Sequence, residues 1–123
     1  MINLLLTVGL GGALGAILRY MSGLWITNLI PNRPYLATLL VNVLGSLLIG
    51  LFYLASEYLQ IKDELRLLLV VGFLGSLTTF STFSYEFVLM INQKSYLLAI
   101  SYIALNLFIS GSLVYIILKF VRN

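Results

Sequence analysis

The sequence predicts an all-α membrane protein of four transmembrane helices, the third broken near its middle, and three observations predict it. The chain is 61% hydrophobic and only 9% charged, with a mean hydropathy of +1.07; a soluble domain of 123 residues has too little interior to hide that much apolar surface. Four apolar runs, 2–30, 36–59, 65–91 and 96–120, each exceed the roughly 20 residues that cross the hydrocarbon core. Within the third run, residues 72–83 read Gly-Phe-Leu-Gly-Ser-Leu-Thr-Thr-Phe-Ser-Thr-Phe, a composition for which a lipid-facing helix has no use. With short loops between them, the four spans are expected to occupy 1–123 as one transmembrane domain.

Composition also excludes several functions. The first run has no basic start and too long an apolar stretch for a cleaved signal. Cysteine and histidine are both absent, which removes disulfides, thiolate sites and the commonest general base and metal ligand. Of the acids Glu57, Asp63, Glu64 and Glu86, only Glu86 falls inside a predicted span, so no enzyme is expected. The basic residues are scattered as loop anchors, not clustered as nucleic-acid binding requires. Four spans place the termini and the 60s loop on one side with Lys62, Arg66, Lys119 and Arg122, against Arg33, Lys94 and Arg19 on the other. That near-balance is a weak orientation signal, compatible with insertion both ways round.

The first run carries Gly9, Gly11, Gly12, Gly15 and Ala16. Gly11 and Gly15, or Gly12 and Ala16, form faces of small residues that allow close helix contact. Gly9-x-Gly11 has the wrong spacing and context for a dinucleotide fingerprint. Arg19 lies late in the same run, followed by Tyr20 and Trp25; it is either an interfacial cation reaching the headgroups or a cation at the mouth of an anion pathway. Pro31 and Pro34 close the segment. In the second run Thr38, Asn42, Ser46 and Gly50 recur every four residues and form one helical stripe, with Gly45 beside it. Asn42 must place two N–H donors, either on a neighbouring helix or in a wet cavity. The fourth run repeats the device with Tyr102, Asn106 and Ser110, which suggests a polar track.

The third run is the functional centre. A break between Gly75 and Thr79 is expected, because Gly and clustered Ser/Thr let the backbone leave the helix. Phe80 and Phe83 then open a second half-helix and face similar directions, with Ser81 and Thr82 between them. The rings are either ordinary core or a source of positive quadrupole edges that, with hydroxyl donors, replace part of an anion's hydration shell. Carbonyls freed at Gly75 and Thr78 suit a hard monovalent cation. One chain supplies two of them; a twofold pair of chains supplies four. With dual insertion the twofold axis lies in the membrane plane.

Three pieces carry a resemblance: Gly12-Ala13-Leu14-Gly15-Ala16-Ile17-Leu18-Arg19-Tyr20, Thr38-Leu39-Leu40-Val41-Asn42-Val43-Leu44-Gly45-Ser46, and the 72–83 stretch. In order, spacing and length the sequence resembles the Fluc (CrcB) fluoride channels. The resemblance implies an antiparallel dual-topology homodimer in a bacterial inner membrane, with two separate fluoride pores and a central structural sodium ion. Such a channel is passive, is selective for fluoride and exports it from the cytoplasm. Its partners are fluoride, membrane lipid and a second copy of the chain. On this resemblance Asn42 is the pore-lining amide, Phe80 and Phe83 the ring-edge contacts, and Ser81 and Thr82 the hydroxyl donors. Tyr102 and Ser110 continue the track, Arg19 sets a positive vestibule, and the backbone oxygens of Gly75 and Thr78 hold sodium. Ser76 stands where the family often has glycine, and Asn106 where a smaller hydroxyl residue is expected. Glu86 resembles a family acid near the pore, with no role assigned.

Two other classes compete. A small multidrug-type proton-coupled transporter is also a four-span dual-topology dimer, but its coupling needs an acid in the first span, and this first span has none. A purely structural membrane subunit explains the glycines and single polar residues, but not the sequence of the third run.

Overall fold

The computed structural model describes residues 1–121; Arg122, counted above with the terminal side, lies outside them. Four helices long and apolar enough to cross a membrane follow one another: Ile2–Leu29, Tyr35–Tyr58, Asp63–Asn92 and Tyr96–Phe120. We call the first two α1 and α2. The third divides into α3, residues 63–77, and α4, Phe80–Asn92. The last, residues 96–121, is α5.

The ends have local causes. Pro31 and Pro34 lie in the turn that separates α1 from α2, and Pro34 caps α2, where its missing N–H costs nothing. After α4 the chain turns through Lys94 in the left-handed region, φ 59°. The N–H groups of Lys94 and Ser95 bond back to the carbonyls of Ile91 and Met90 at 2.9 Å each, the double closure that ends a helix at a left-handed residue. Parts of α3 (67–74) and α5 (105–109) have π-type turns; the Gly75 N–H, for instance, reaches Val70 five residues back. Wide turns of this kind recur at functional sites.

α1 packs mainly against α3, and the seam is backbone on backbone. A methyl added to Gly11 would strike the carbonyl oxygen of Leu68, and one added to Gly15 that of Phe73. Of the two small-residue faces in the sequence, Gly11 and Gly15 therefore form the contact, and both are buried. From the other side, a Cβ on Gly72 would lie 2.6 Å from the Val8 carbonyl oxygen. α2 packs against the far half of α5, with Gly50 beneath Ile117.

Buried side chains gather on either side of the break, Val41, Leu74 and Leu77 in one group, Phe83, Met90, Ala99 and Tyr102 in the other. The break itself is narrower than the sequence suggests. The helix continues through Gly72 and Gly75 to Leu77; only Thr78 (φ −79°, ψ 155°) and Thr79 (φ −151°, ψ 118°) are extended. Glycine is thus not the breaking agent. Gly72 serves the seam, and two β-branched threonines, for which extended backbone is natural, make the interruption.

Candidate functional site

Two extended residues at membrane depth must have their peptide groups satisfied inside the protein. Asn42 on α2 does this for Thr79. Its Oδ1 accepts the Thr79 N–H at 2.9 Å, and its Nδ2 donates to the Thr79 carbonyl at 3.3 Å. The other Nδ2 hydrogen goes to Asn106 Oδ1 at 3.0 Å, and Asn106 Nδ2 donates to the Tyr102 carbonyl at 3.0 Å. The Thr79 side chain starts α4: its Oγ1 accepts the Thr82 N–H at 3.2 Å, an ordinary N-cap. Both diversions uncover a carbonyl. In a continuous helix the Thr79 N–H would go to Gly75 and the Thr82 N–H to Thr78; here neither does. Ser76 and Leu77 lose their helical donors with them, as the last carbonyls of any helix do, so Gly75 and Thr78, the two oxygens expected from the sequence, are among four left without one. Thr78 is held by its hydroxyl, which donates to the Leu74 carbonyl at 2.9 Å, and by its methyl, which lies where a Cβ on Gly45 would be.

The break separates two clefts. The first, of about 350 Å³, is lined by Asn42, Gly45 and Ser46 of α2, Gly75 and Thr78, Phe80 and Phe83, and Asn106 and Ser110 of α5. With Ile49 and Val70 also on its wall, it runs from the break toward the end carrying the α2–α3 loop. Phe83 is buried and Phe80 is 74% exposed, their centroids 5.5 Å apart. Phe83 is backed by Tyr102 at 5.3 Å. Ser110 Oγ is buried there with no hydrogen-bond partner among the described residues. The second cleft, of about 380 Å³, is lined by Arg19, Gly23 and Thr27 of α1, Thr38 of α2, and Thr82 and Glu86 of α4. It runs the opposite way, toward the α1–α2 turn. Thr79 lines both.

The sequence pattern of the family described as CrcB-like protein, Camphor Resistance (CrcB), matches residues 6–118. The chain belongs to the CrcB family. It is 42% identical over 114 residues to the "Fluoride-specific ion channel FluC" of Shewanella loihica, which covers 93% of this chain and 92% of that one. The proteins of the same name from Shewanella woodyi and Shewanella sediminis are 41% and 42% identical over the same shares. With four membrane-crossing helices, the chain is an integral membrane protein of the bacterial inner membrane.

On this CrcB framework the predicted site residues divide. Asn42, Phe80, Phe83, Ser110, Gly75 and Thr78 meet in the first cleft. Arg19 and Thr82 meet in the second. Ser81 is exposed on α4, its hydroxyl 3.2 Å from Thr79 Oγ1. Tyr102 is 1% exposed, and its hydroxyl donates to Glu86 Oε2, while Thr38 Oγ1 donates to Glu86 Oε1 at 3.1 Å. Glu86 thus joins α2, α4 and α5, a placement that sequence reasoning left unassigned. Thr79 was missed as a site residue altogether. A threonine just before Phe80 is a local N-cap signal, but nothing local announces that an asparagine 37 positions earlier takes up its backbone.

Proposed function

We propose that this CrcB-family chain is a passive, fluoride-selective channel that exports cytoplasmic fluoride. It acts as an antiparallel dual-topology homodimer with two pores and a central structural sodium ion. The observation that carries the reading is the first cleft, where two phenyl rings and the Ser110 hydroxyl, without a hydrogen-bond partner among the described residues, converge beside the break. Ring edges and hydroxyls are weak donors; a series of weak sites lets a strongly hydrated anion shed water without being held, as conduction requires. Hydrogen fluoride enters cells as a neutral molecule and dissociates, and a negative-inside potential drives the trapped anion out through any passive path. The outward exposure of Phe80 supports a second copy, since a ring so placed leaves the cleft walled on one side only. The transporter reading is weaker: the membrane acid, Glu86, sits in the third span with both oxygens already hydrogen-bonded.

The reading is tested by fluoride efflux from liposomes carrying the purified protein, followed with a fluoride electrode beside a chloride control. Rapid release of fluoride on adding valinomycin, with chloride retained, is the expected result. No fluoride release from a verified folded dimer would return the transporter and structural readings.

The residues at the break fit a monovalent cation. Gly75 and Thr78 offer carbonyl oxygens without helical donors, the neutral hard ligands that sodium prefers, and no group of three or more His, Cys, Asp or Glu side chains stands ready to hold a metal among the described residues. When bound, sodium supplies a fixed positive charge shared between the two copies. Exchange of sodium for a large organic cation such as N-methyl-D-glucamine is therefore expected to lower the thermal midpoint of the purified dimer by several degrees. The change would be read by tryptophan fluorescence and size-exclusion chromatography, and indifference to sodium would count against the carbonyl site.

A further inference from the structure

We propose that Asn42 is a positioning residue: its side-chain amide pairs with the backbone of Thr79 as an adjacent β-strand would, and this pairing holds the break between α3 and α4 open. A side-chain amide carries the same two groups as a peptide unit, an oxygen acceptor and an N–H donor. Asn42 presents both to a single extended residue, accepting its N–H at 2.9 Å and donating to its carbonyl at 3.3 Å. Two neighbouring strands exchange the same pair of bonds between one residue and its opposite. The remaining Nδ2 hydrogen is spent on Asn106 Oδ1 at 3.0 Å, and Asn106 is itself anchored to the Tyr102 carbonyl. Both hydrogens of the amide are therefore engaged by the protein. An anion that drew on one of them would have to break the pairing to do so.

No simple replacement performs this task. Aspartate keeps the acceptor and loses the donors; serine cannot reach both groups of one peptide; alanine supplies neither. The pairing also bears on the cation site, because it diverts the Thr79 N–H from the Gly75 carbonyl. To that extent the inference rests on the reading given above, but its test does not.

The test follows amide exchange at Thr79 by NMR in the full chain, labelled with ¹⁵N-threonine and purified in detergent. In the unsubstituted protein the Thr79 N–H is protected. Asn42→Ala is expected to speed its exchange at least about tenfold while Thr38, on α2, changes little. Phe80→Ile, which leaves the amide pair intact, is expected to leave Thr79 protected. Unchanged protection of Thr79 in Asn42→Ala, with its amide cross-peak unshifted, would overturn the proposal; a break that closed and returned the Thr79 N–H to Gly75 would keep protection but move that cross-peak and support it. Where Asn42→Ala loosens every threonine alike, Asn42→Asp decides. It retains an oxygen for the Thr79 N–H and should exchange at least about threefold more slowly than Asn42→Ala at that position; equal rates would overturn the proposal. Since no ion flux enters the measurement, protection that depends on Asn42 would stand even if the liposome assay showed no fluoride passage.

Discussion

Fluoride efflux is expected to fall by roughly a hundredfold or more when Phe80 and Phe83 are both replaced by isoleucine, with the folded dimer retained. Isoleucine keeps an apolar side chain of similar reach but has no quadrupole, so the substitution removes the positive ring edges from the first cleft and little else. If each edge contributes about 1.4 kcal/mol, the upper end of an edge-on aromatic contact, losing both lowers the rate roughly a hundredfold. The two positions differ in their effect on stability. Phe80 is largely exposed within the chain, so its replacement alone should leave the unfolding of dissociated chains unchanged. Phe83 packs against Tyr102, and its replacement should cost about 1 kcal/mol. Efflux from liposomes and size-exclusion profiles of the same preparation separate the effects. Undiminished efflux from a dimeric double variant would remove the ring edges from the mechanism.

The largest loss of stability is expected at Gly15. Even alanine there must push its methyl into the Phe73 carbonyl oxygen. Neither helix can retreat alone, because Gly11 and Gly72 close the same seam. Overpacking of this kind costs about 1–3 kcal/mol when a core can adjust, and a seam of two backbones has no side chain to rotate aside. Gly15→Ala should fall at the upper end of that range and Gly15→Val should yield no monodisperse protein. Gly23 lies on the same helix with nothing within 4 Å of an added Cβ, so Gly23→Ala is the matched control and should be neutral or stabilising by up to about 1 kcal/mol. Equal thermal midpoints for the two alanine variants would show that the seam is looser than described.

Much of this was legible in the sequence because a membrane imposes long apolar runs. The runs 36–59 and 65–91 correspond to helices at Tyr35–Tyr58 and Asp63–Asn92, shifted by no more than a loop residue or two. Four-residue stripes were legible for a similar reason. Thr38, Asn42, Ser46 and Gly50 do face the interior, and Asn106 and Ser110 meet Asn42 and Ser46 across the first cleft, while Thr38 lines the second and Gly50 packs under Ile117. A four-residue step drifts about 40° per repeat on a regular α-helix; the wide turns at 105–109 compensate part of that drift, and no residue pattern foretold them. What stayed hidden depended on distant partners. The glycines of the third run look alike on paper, yet Gly72 serves a helix seam and Gly75 contributes a bared carbonyl. Glu86 had no assignable role until Thr38, 48 residues away, and Tyr102 were seen to hold its two oxygens. For Asn42 the sequence leaves two placements open, a neighbouring helix or a wet cavity, and the fold commits its amide hydrogens to Thr79 and Asn106.

Thr79 lines both of the clefts that approach the break from opposite ends of the helices. Water in both clefts would carry each bulk potential inward to that residue. A voltage that a uniform membrane spreads over about 30 Å would then fall across a few ångströms of protein around a single threonine. An elementary charge gains about 2.3 kcal/mol per 100 mV wherever the drop occurs, so nearly all of the electrical work would be done in one short hop. On the channel reading proposed above, such a conductor would resemble a thin insulating film between two electrolytes more than a long tube. Its current should respond steeply to changes at residue 79 and little to the length of either approach.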